Sequence, residues 1–200
     1  MTETLGGFLD DVLAREPDRE VVAYAPSDRI TVRQRARELR AATRLAAKRL
    51  VALGVGKGMR VGLLCPNRPE WLAVAFGALR LGAVLVPFST LWKRDEIAYG
   101  LTHGDVQMLI TVPGFLRHDY LGTLHDLLPE LAASTPGRLR APSAPALRGV
   151  WLLGNESGAS APSSPGTPPF DAVASDVDDT LLDALQATVS PTDLATIFFT

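Results

Sequence analysis

Residues 54–88 read GVGKGMRVGLLCPNRPEWLAVAFGALRLGAVLVPF. Within this stretch the hydrophobic period changes twice. MRVGLLC (59–65) is a continuous apolar run, the mark of a strand buried on both faces. PNRPEWLAVAFGALRLG (66–82) has prolines at its start, apolar residues at helical spacing and Gly82 where a helix would stop. AVLVPF (83–88) is strand-like again. Two buried strands joined by a helix predict a βαβ unit, and with it a parallel sheet.

The same alternation extends in both directions. Upstream, residues 30–58 predict a long amphipathic helix over Thr31–Leu53. Thr31 and Gln34 have capping-box spacing, and Gly54 marks the stop. Leu39, Thr43, Ala46, Leu50 and Leu53 fall on one face, with Arg33, Arg37, Arg40, Arg44 and Lys48 mostly on others. Downstream come a helix in WKRDEIAYGLTHG (92–104), a strand in VQMLIT (106–111) and a helix in FLRHDYLGTLHDLLPELAA (115–133). VWLLG (150–154) reads as a short strand. FDAVASDVDDTLLDALQA (170–187) reads as an acidic segment with a short helix, and DLATIFFT (193–200) as a buried strand. Residues 134–148 and 154–169 are rich in Pro, Ser, Gly and Ala and are expected to be flexible loops. The expected fold class is therefore α/β: a mainly parallel sheet with helices on both faces. Its strands are expected near Arg60–Cys65, Ala83–Pro87, Val106–Thr111, Val150–Leu153 and Leu194–Phe199. No internal repeat is visible.

Composition narrows the function classes. A hydrophobic content of 46% with 21% charged residues is ordinary for a globular chain of 200 residues. A formal net charge of −2 argues against nucleic acid, or an anionic membrane, as a partner held by bulk electrostatics. The single cysteine, Cys65, excludes an intrachain disulfide and suits a reducing compartment. The start MTETLGGFLDDVLARE carries acids where a secretion signal would be basic. No run reaches the ~18 apolar residues of a transmembrane segment, so a cytoplasmic location is expected.

Several motifs invite chemistry that their context does not support. GVGKGMRVG (54–62) is glycine-rich with a lysine, but it lacks Walker spacing and lies between a helix and a strand, so it reads as a turn. Asp176, Asp178 and Thr180 have the DxDxT spacing of haloacid-dehalogenase-type phosphatases. The apolar strand that should precede them is weak and no lysine follows, so an acidic helix is the better reading. His103, His118 and His125 have no ligand spacing; the latter two, a heptad apart, could share a helix face but lack a third ligand. No metal site is expected. Cys65, between an apolar strand and Pro66, reads as a buried, inert thiol.

Taken in order, the motifs of residues 54–88 resemble the N-terminal part of the adenylate-forming enzymes, the acyl-CoA synthetase and luciferase superfamily. The resemblance rests on Gly54-Val55, Arg60, Asn67, Glu70-Trp71, Gly82-Ala83 and Val86-Pro87. Glu38-Leu39 is similar to the Glu-Leu of the family's first core motif, although the aromatic residue usual near its start is absent. Residues 91–111 resemble the next helix and strand, with Ser-Thr-Leu-Trp (89–92) in place of the usual Asn-Pro. DLATIFFT resembles the strand that enters the family's phosphate-binding loop, with Thr200 as the loop's first residue.

The resemblance implies that the chain is the first subdomain of the large N-terminal domain, cut before the phosphate loop and continued by a longer protein. It implies an enzyme that joins a carboxylic acid substrate to AMP using ATP and Mg²⁺, then passes the acyl group to coenzyme A. Thr200 would meet an ATP phosphate, and Arg117 falls where some acyl-CoA synthetases place coenzyme A contacts. No catalytic residue is expected within residues 1–200, so the isolated segment should be inactive. A homodimer is compatible with this reading. The alternative is a shortened, non-catalytic relative serving as a binding or dimerisation module. A free-standing nucleotide-binding domain is disfavoured because no G-x-G-x-x-G follows an expected strand. The acyl substrate, and the choice between coenzyme A and a carrier-protein thiol, are open at this level.

Overall fold

The computed structural model describes residues 4–26, 29–154 and 164–199, and the chain folds as two compact units. The first comprises Met1–Gly58, Asn67–Ala83 and Ser175–Leu194; the second comprises Met59–Pro66, Val84–Ala174 and Ala195–Thr200. In chain order the first half forms α1 (Leu5–Arg15), β1 (Glu20–Tyr24), β2 (Val32–Arg35), α2 (Ala36–Ala52), β3 (Arg60–Leu64), α3 (Pro69–Arg80) and β4 (Val84–Pro87). The second half forms α4 (Arg94–His103), β5 (Met108–Thr111), β6 (Gly114–Phe115), β7 (His118–Asp119), α5 (Tyr120–Leu127), β8 (Gly149–Leu152) and α6 (Asp179–Ala187).

The first unit is helical, with one hairpin. The helix expected over Thr31–Leu53 begins five residues late, at Ala36, because Val32–Arg35 instead pairs antiparallel with Glu20–Tyr24. Val32 and Gln34 are half-buried while Arg33 and Arg35 are exposed, so period-2 patterning prevails here. The capping box shifts accordingly: the Glu38 carboxylate accepts from the Arg35 N–H at 2.7 Å. From Ala36 onward the expected face is correct, with Leu39, Thr43, Ala46 and Leu50 buried and Leu53 half-buried. α2 packs on α3 at Gly77, where a Cβ would lie 2.9 Å from the Ala47 nitrogen and 3.1 Å from the Ala46 Cβ. α3 ends as expected, with Gly82 at a φ of +67°. Asp178 caps α6, accepting from the Leu181 N–H at 2.7 Å, so the DxDxT spacing belongs to a helix start.

The second unit holds the sheet. Its four strands are all parallel, in the order β4-β3-β5-β8, which bears out the α/β class. Val61 lies between Leu85 and Met108, and Met108 pairs with Gly149 on its other side. Continuous burial of Val61–Leu64, Met108–Thr111 and Gly149–Leu152 explains why these strands read as unbroken apolar runs.

The fifth expected strand, Leu194–Phe199, is reduced to a single parallel bridge between Thr196 and Leu85. The Leu85 N–H donates to the Ala195 carbonyl at 2.9 Å, and the Ile197 N–H donates to the Leu85 carbonyl at 3.0 Å. Nor is this segment buried: Leu194 is 58% and Phe198 73% exposed. It lies outside β4, at the sheet edge, so an apolar run that resembles a central strand is covered only in part.

The helix expected over 115–133 is also shortened. Residues 114–119 form the tight β6–β7 hairpin, with Leu116 in left-handed backbone at φ 53°, and only Tyr120–Leu127 is α-helical. His118 and His125 therefore share no helix face. Residues 134–148 turn repeatedly and bury Leu139, Ala141, Ala144 and Leu147. Residues 155–163 of the other expected loop lie outside the described residues. Among the described residues, no helix is long and apolar enough to cross a membrane.

Candidate functional site

A cleft opens beyond the carboxyl ends of the parallel strands β4 and β5. The connection after β4 (88–93) leads into α4, and the connection after β5 (112–119) leads into α5. Together they wall a cleft of about 360 Å³.

One wall carries Trp92, Lys93 and Arg94, and the other Arg117, His118 and Asp119. On the first wall Ser89 shapes the turn, accepting from the Leu91 N–H through its hydroxyl at 3.2 Å. Trp92 is held by Phe88 and Phe199, with ring centroids 4.9 and 5.6 Å away. Glu96 caps the start of α4, accepting from the Lys93 N–H at 2.8 Å. The second wall is the β6–β7 turn, which presents Arg117 at its exposed tip. Asp119 then opens α5, accepting from the Gly122 N–H at 2.9 Å.

The cleft is cationic in its side chains. Lys93, Arg94 and Arg117 face Asp119 and Asp126, and Asp119 is already engaged as a helix cap. Among the described residues neither Lys93 nor Arg117 forms an ion pair; Arg94 reaches Asp95 at 3.6 Å. Tyr120 lines the floor, fully buried, its hydroxyl donating to the Thr90 carbonyl at 2.7 Å. Burial, with a smaller contribution from the Cys65 thiol, pushes the Tyr120 phenol up to about 12, so it remains a neutral donor. This arrangement suits a phosphate-bearing anion, which charged donors hold far better than neutral ones do.

Of the residues singled out in the sequence, Arg117 lies in this cleft, whereas Thr200 lies outside the described residues. Sequence reasoning missed Lys93 and Arg94. Their signal was available, because two adjacent cations at a helix start oppose the macrodipole and make sense beside an anion. Cys65 is buried, its thiol donating to the Pro66 carbonyl at 3.3 Å. No group of three or more His, Cys, Asp or Glu able to hold a metal ion occurs among the described residues.

Comparison with known proteins extends this picture. The family model described as AMP-binding enzyme matches residues 9–200. The chain is 33% identical over 153 residues to YngI of Bacillus subtilis, which carries an acyl-CoA synthetase name, covering 76% of this chain and 27% of that protein. It is 28% identical over 149 residues to the human mitochondrial medium-chain acyl-CoA ligase ACSF2, covering 74% of this chain and 24% of that one. The chain thus spans about a quarter of the length of these two relatives.

Among solved structures it resembles a protein from Rhodopseudomonas palustris named as a long-chain-fatty-acid CoA ligase. The TM-score is 0.66 at 25% identity, over 87% of this chain and 37% of that one. It also shares the fold of the N-terminal domain of FACL13 from Mycobacterium tuberculosis, with a TM-score of 0.60 at 20% identity over 96% of this chain and 38% of that one. The chain belongs to the AMP-binding enzyme family and resembles the N-terminal domain of its acyl-CoA synthetases.

Proposed function

We propose that the protein carrying this chain is an AMP-forming acid–thiol ligase, and that residues 1–200 are its scaffold and part of its nucleotide-facing edge. The proposed reaction has two steps. A carboxylate oxygen of the acid attacks the α-phosphorus of ATP and expels pyrophosphate, giving an acyl-adenylate. The sulfur of coenzyme A then attacks the acyl carbon and expels AMP. Adenylation matters because a carboxylate is a poor electrophile until its oxygen becomes part of a good leaving group. Mg²⁺ enters with ATP as part of the substrate. Catalysis of this kind depends on donors and cations aimed at the phosphate oxygens.

The observation that carries this reading is the family match over residues 9–200 on a chain whose last described segment runs parallel to β4. That direction leads toward the carboxyl edge of the strands, and Thr200 comes next in the chain. We assign Thr200 to the first turn of the ATP phosphate loop, where a small hydroxyl side chain leaves backbone N–H groups accessible to an anion. We assign Arg117, with Lys93 and Arg94 beside it, to the phosphates of coenzyme A. By this reading residues 1–200 alone catalyse no exchange, since the family resemblance assigns the groups that act on the reacting atoms to other segments.

The test is acid-dependent exchange of radiolabelled pyrophosphate into ATP by the complete gene product, followed by coenzyme A-dependent release of AMP. Exchange with at least one carboxylic acid is expected. Its absence across aliphatic, aromatic and alicyclic acids would favour a binding module instead.

A further inference from the structure

The two walls of the cleft rise from β4 and β5, and β3 lies between those strands. Neighbouring strands run about 4.8 Å apart, so the roots of the walls stand about 10 Å from each other. Tyr120 bridges that gap. It is the first residue of α5, on the hairpin side, and its hydroxyl donates to the Thr90 carbonyl of the opposite wall at 2.7 Å. The bond joins the walls close to their charges: Thr90 precedes Lys93 by three residues, and Arg117 precedes Tyr120 by three. The Tyr120 ring is buried and lies nearly parallel to His118 of its own wall, with centroids 6.0 Å apart. A phenol has one proton to donate, and this one is committed to Thr90. Burial first, and then the Cys65 thiol just beyond β3, push the phenol up to about 12, so the bond keeps its donor at neutral pH.

A tie at this place opposes a definite force. Lys93 and Arg94 on one wall face Arg117 on the other, and like charges repel when no anion lies between them. An untied cleft would spread, and drawing it together again would weaken ligand binding. We propose that Tyr120 is a positioning residue for the thiol substrate: by tying the hairpin wall to Thr90 it keeps the three cations preorganised for the phosphates of coenzyme A. This rests on the reading of the cleft as a coenzyme A phosphate site. The phenol donates nothing to the ligand; it acts through the spacing of the walls. Its effect is therefore confined to ligands that bring negative charge to both walls. Pantetheine, the thiol arm of coenzyme A without its phosphates, should not feel it.

The experiment uses the complete gene product as wild type, Tyr120→Phe and Arg117→Glu. Phenylalanine keeps the ring and removes only the bond. Tyr120→Phe should raise the KM for coenzyme A about fivefold, as loss of one hydrogen bond does, with kcat at saturating coenzyme A retained. Acid-dependent pyrophosphate exchange, and kcat/KM with pantetheine, should stay at the wild-type level. Backbone hydrogen exchange of the free enzyme should rise at Leu91 and Trp92, whose N–H groups close the turn beside Thr90, and stay unchanged at Leu109 and Ile110 of β5. An unchanged KM for coenzyme A in Tyr120→Phe overturns the proposal. So does an equal loss with pantetheine and in pyrophosphate exchange, which a purely structural role would give. Arg117→Glu separates this failure from that of the reading beneath it. If Arg117→Glu raises the KM for coenzyme A while Tyr120→Phe does not, the cleft binds coenzyme A without the tie. If neither variant changes it, or the wild type releases no AMP with coenzyme A, the cleft reading fails and the proposal with it.

Discussion

Arg80 and Asp10, 70 positions apart, meet as a two-pronged ion pair: Arg80 Nη2 donates to Asp10 Oδ1 at 2.8 Å, and Nη1 pairs with Oδ2. The arginine side chain has no solvent exposure. Gln186 joins them, accepting from Arg80 and donating to Asp10 at 3.3 Å, and Arg40 Nε donates to Asp10 at 3.2 Å. One buried cation and its acid thus connect α1, α2, α3 and α6 of the first unit.

Removing one partner should cost far more than removing both. Asp10→Ala leaves a buried guanidinium without its counter-charge and should lower unfolding free energy by about 3–5 kcal/mol in urea titrations. Asp10→Leu combined with Arg80→Met removes the charge and its counter-charge together, and should lose distinctly less than Asp10→Ala alone. If the pair variant were the less stable of the two, the network would be stabilising in its own right.

The same pair sets a pH dependence. Burial pushes the Asp10 carboxyl up, but the Arg80 hydrogen bond and charge, with Gln186 and Arg40, outweigh it and bring the pKa down from 3.8 to about 2. A depressed folded-state pKa means stability that is present above the unfolded value of about 4 and is lost as the pH falls toward 2. After discounting for solvent screening the contribution is about 1 kcal/mol. Stability measured between pH 5 and pH 2 should therefore fall less steeply for Asp10→Asn than for the wild type.

The sheet strands were legible in the sequence because burial on both faces writes an uninterrupted apolar run, and β3, β4, β5 and β8 lie within two residues of expectation. The edge segment was misjudged by the same rule. Nothing in TIFF distinguishes a central strand from an edge one, since coverage is a property of the neighbours. Val32–Arg35 failed for a different reason. Its alternation covers only four residues, and its helical continuation supplied a stronger period that absorbed it. The partners of Arg80 and Lys57 were invisible because each lies far away in the chain, at Asp10, Gln186, Thr188 and Asp193. Arg117 entered the candidate site by family resemblance; the cations Lys93 and Arg94 at a helix start were visible in the sequence, but their place opposite the hairpin was not.

Gly77→Ala tests the contact between α2 and α3. The added methyl would press on backbone at Ala47, which cannot rotate away as a side chain can. Helix propensity favours alanine by about 1 kcal/mol, while overpacking costs about 1–3 kcal/mol. A net loss of stability is expected, accompanied by faster hydrogen exchange in both helices. A stability gain would mean that the helices can separate without cost.

Arg117→Glu tests the cleft. The cation sits at an exposed hairpin tip, held by no ion pair among the described residues, and Tyr120 beside it is anchored by its own bond to Thr90. Reversing its charge should therefore leave Tm within about 1 °C, as surface substitutions do. The ligand should feel it strongly. An anion moved from three cations to two, with a carboxylate added, loses a charge-assisted bond worth about 1.5–3 kcal/mol. The KM for coenzyme A should rise by about tenfold or more, while acid-dependent pyrophosphate exchange, which needs no coenzyme A, stays unchanged. Lys93→Glu should act in the same direction, and adding salt to the wild type should imitate both in weaker form. A fall in pyrophosphate exchange with an unchanged KM for coenzyme A would move the cleft from the thiol half of the reaction to the adenylation half.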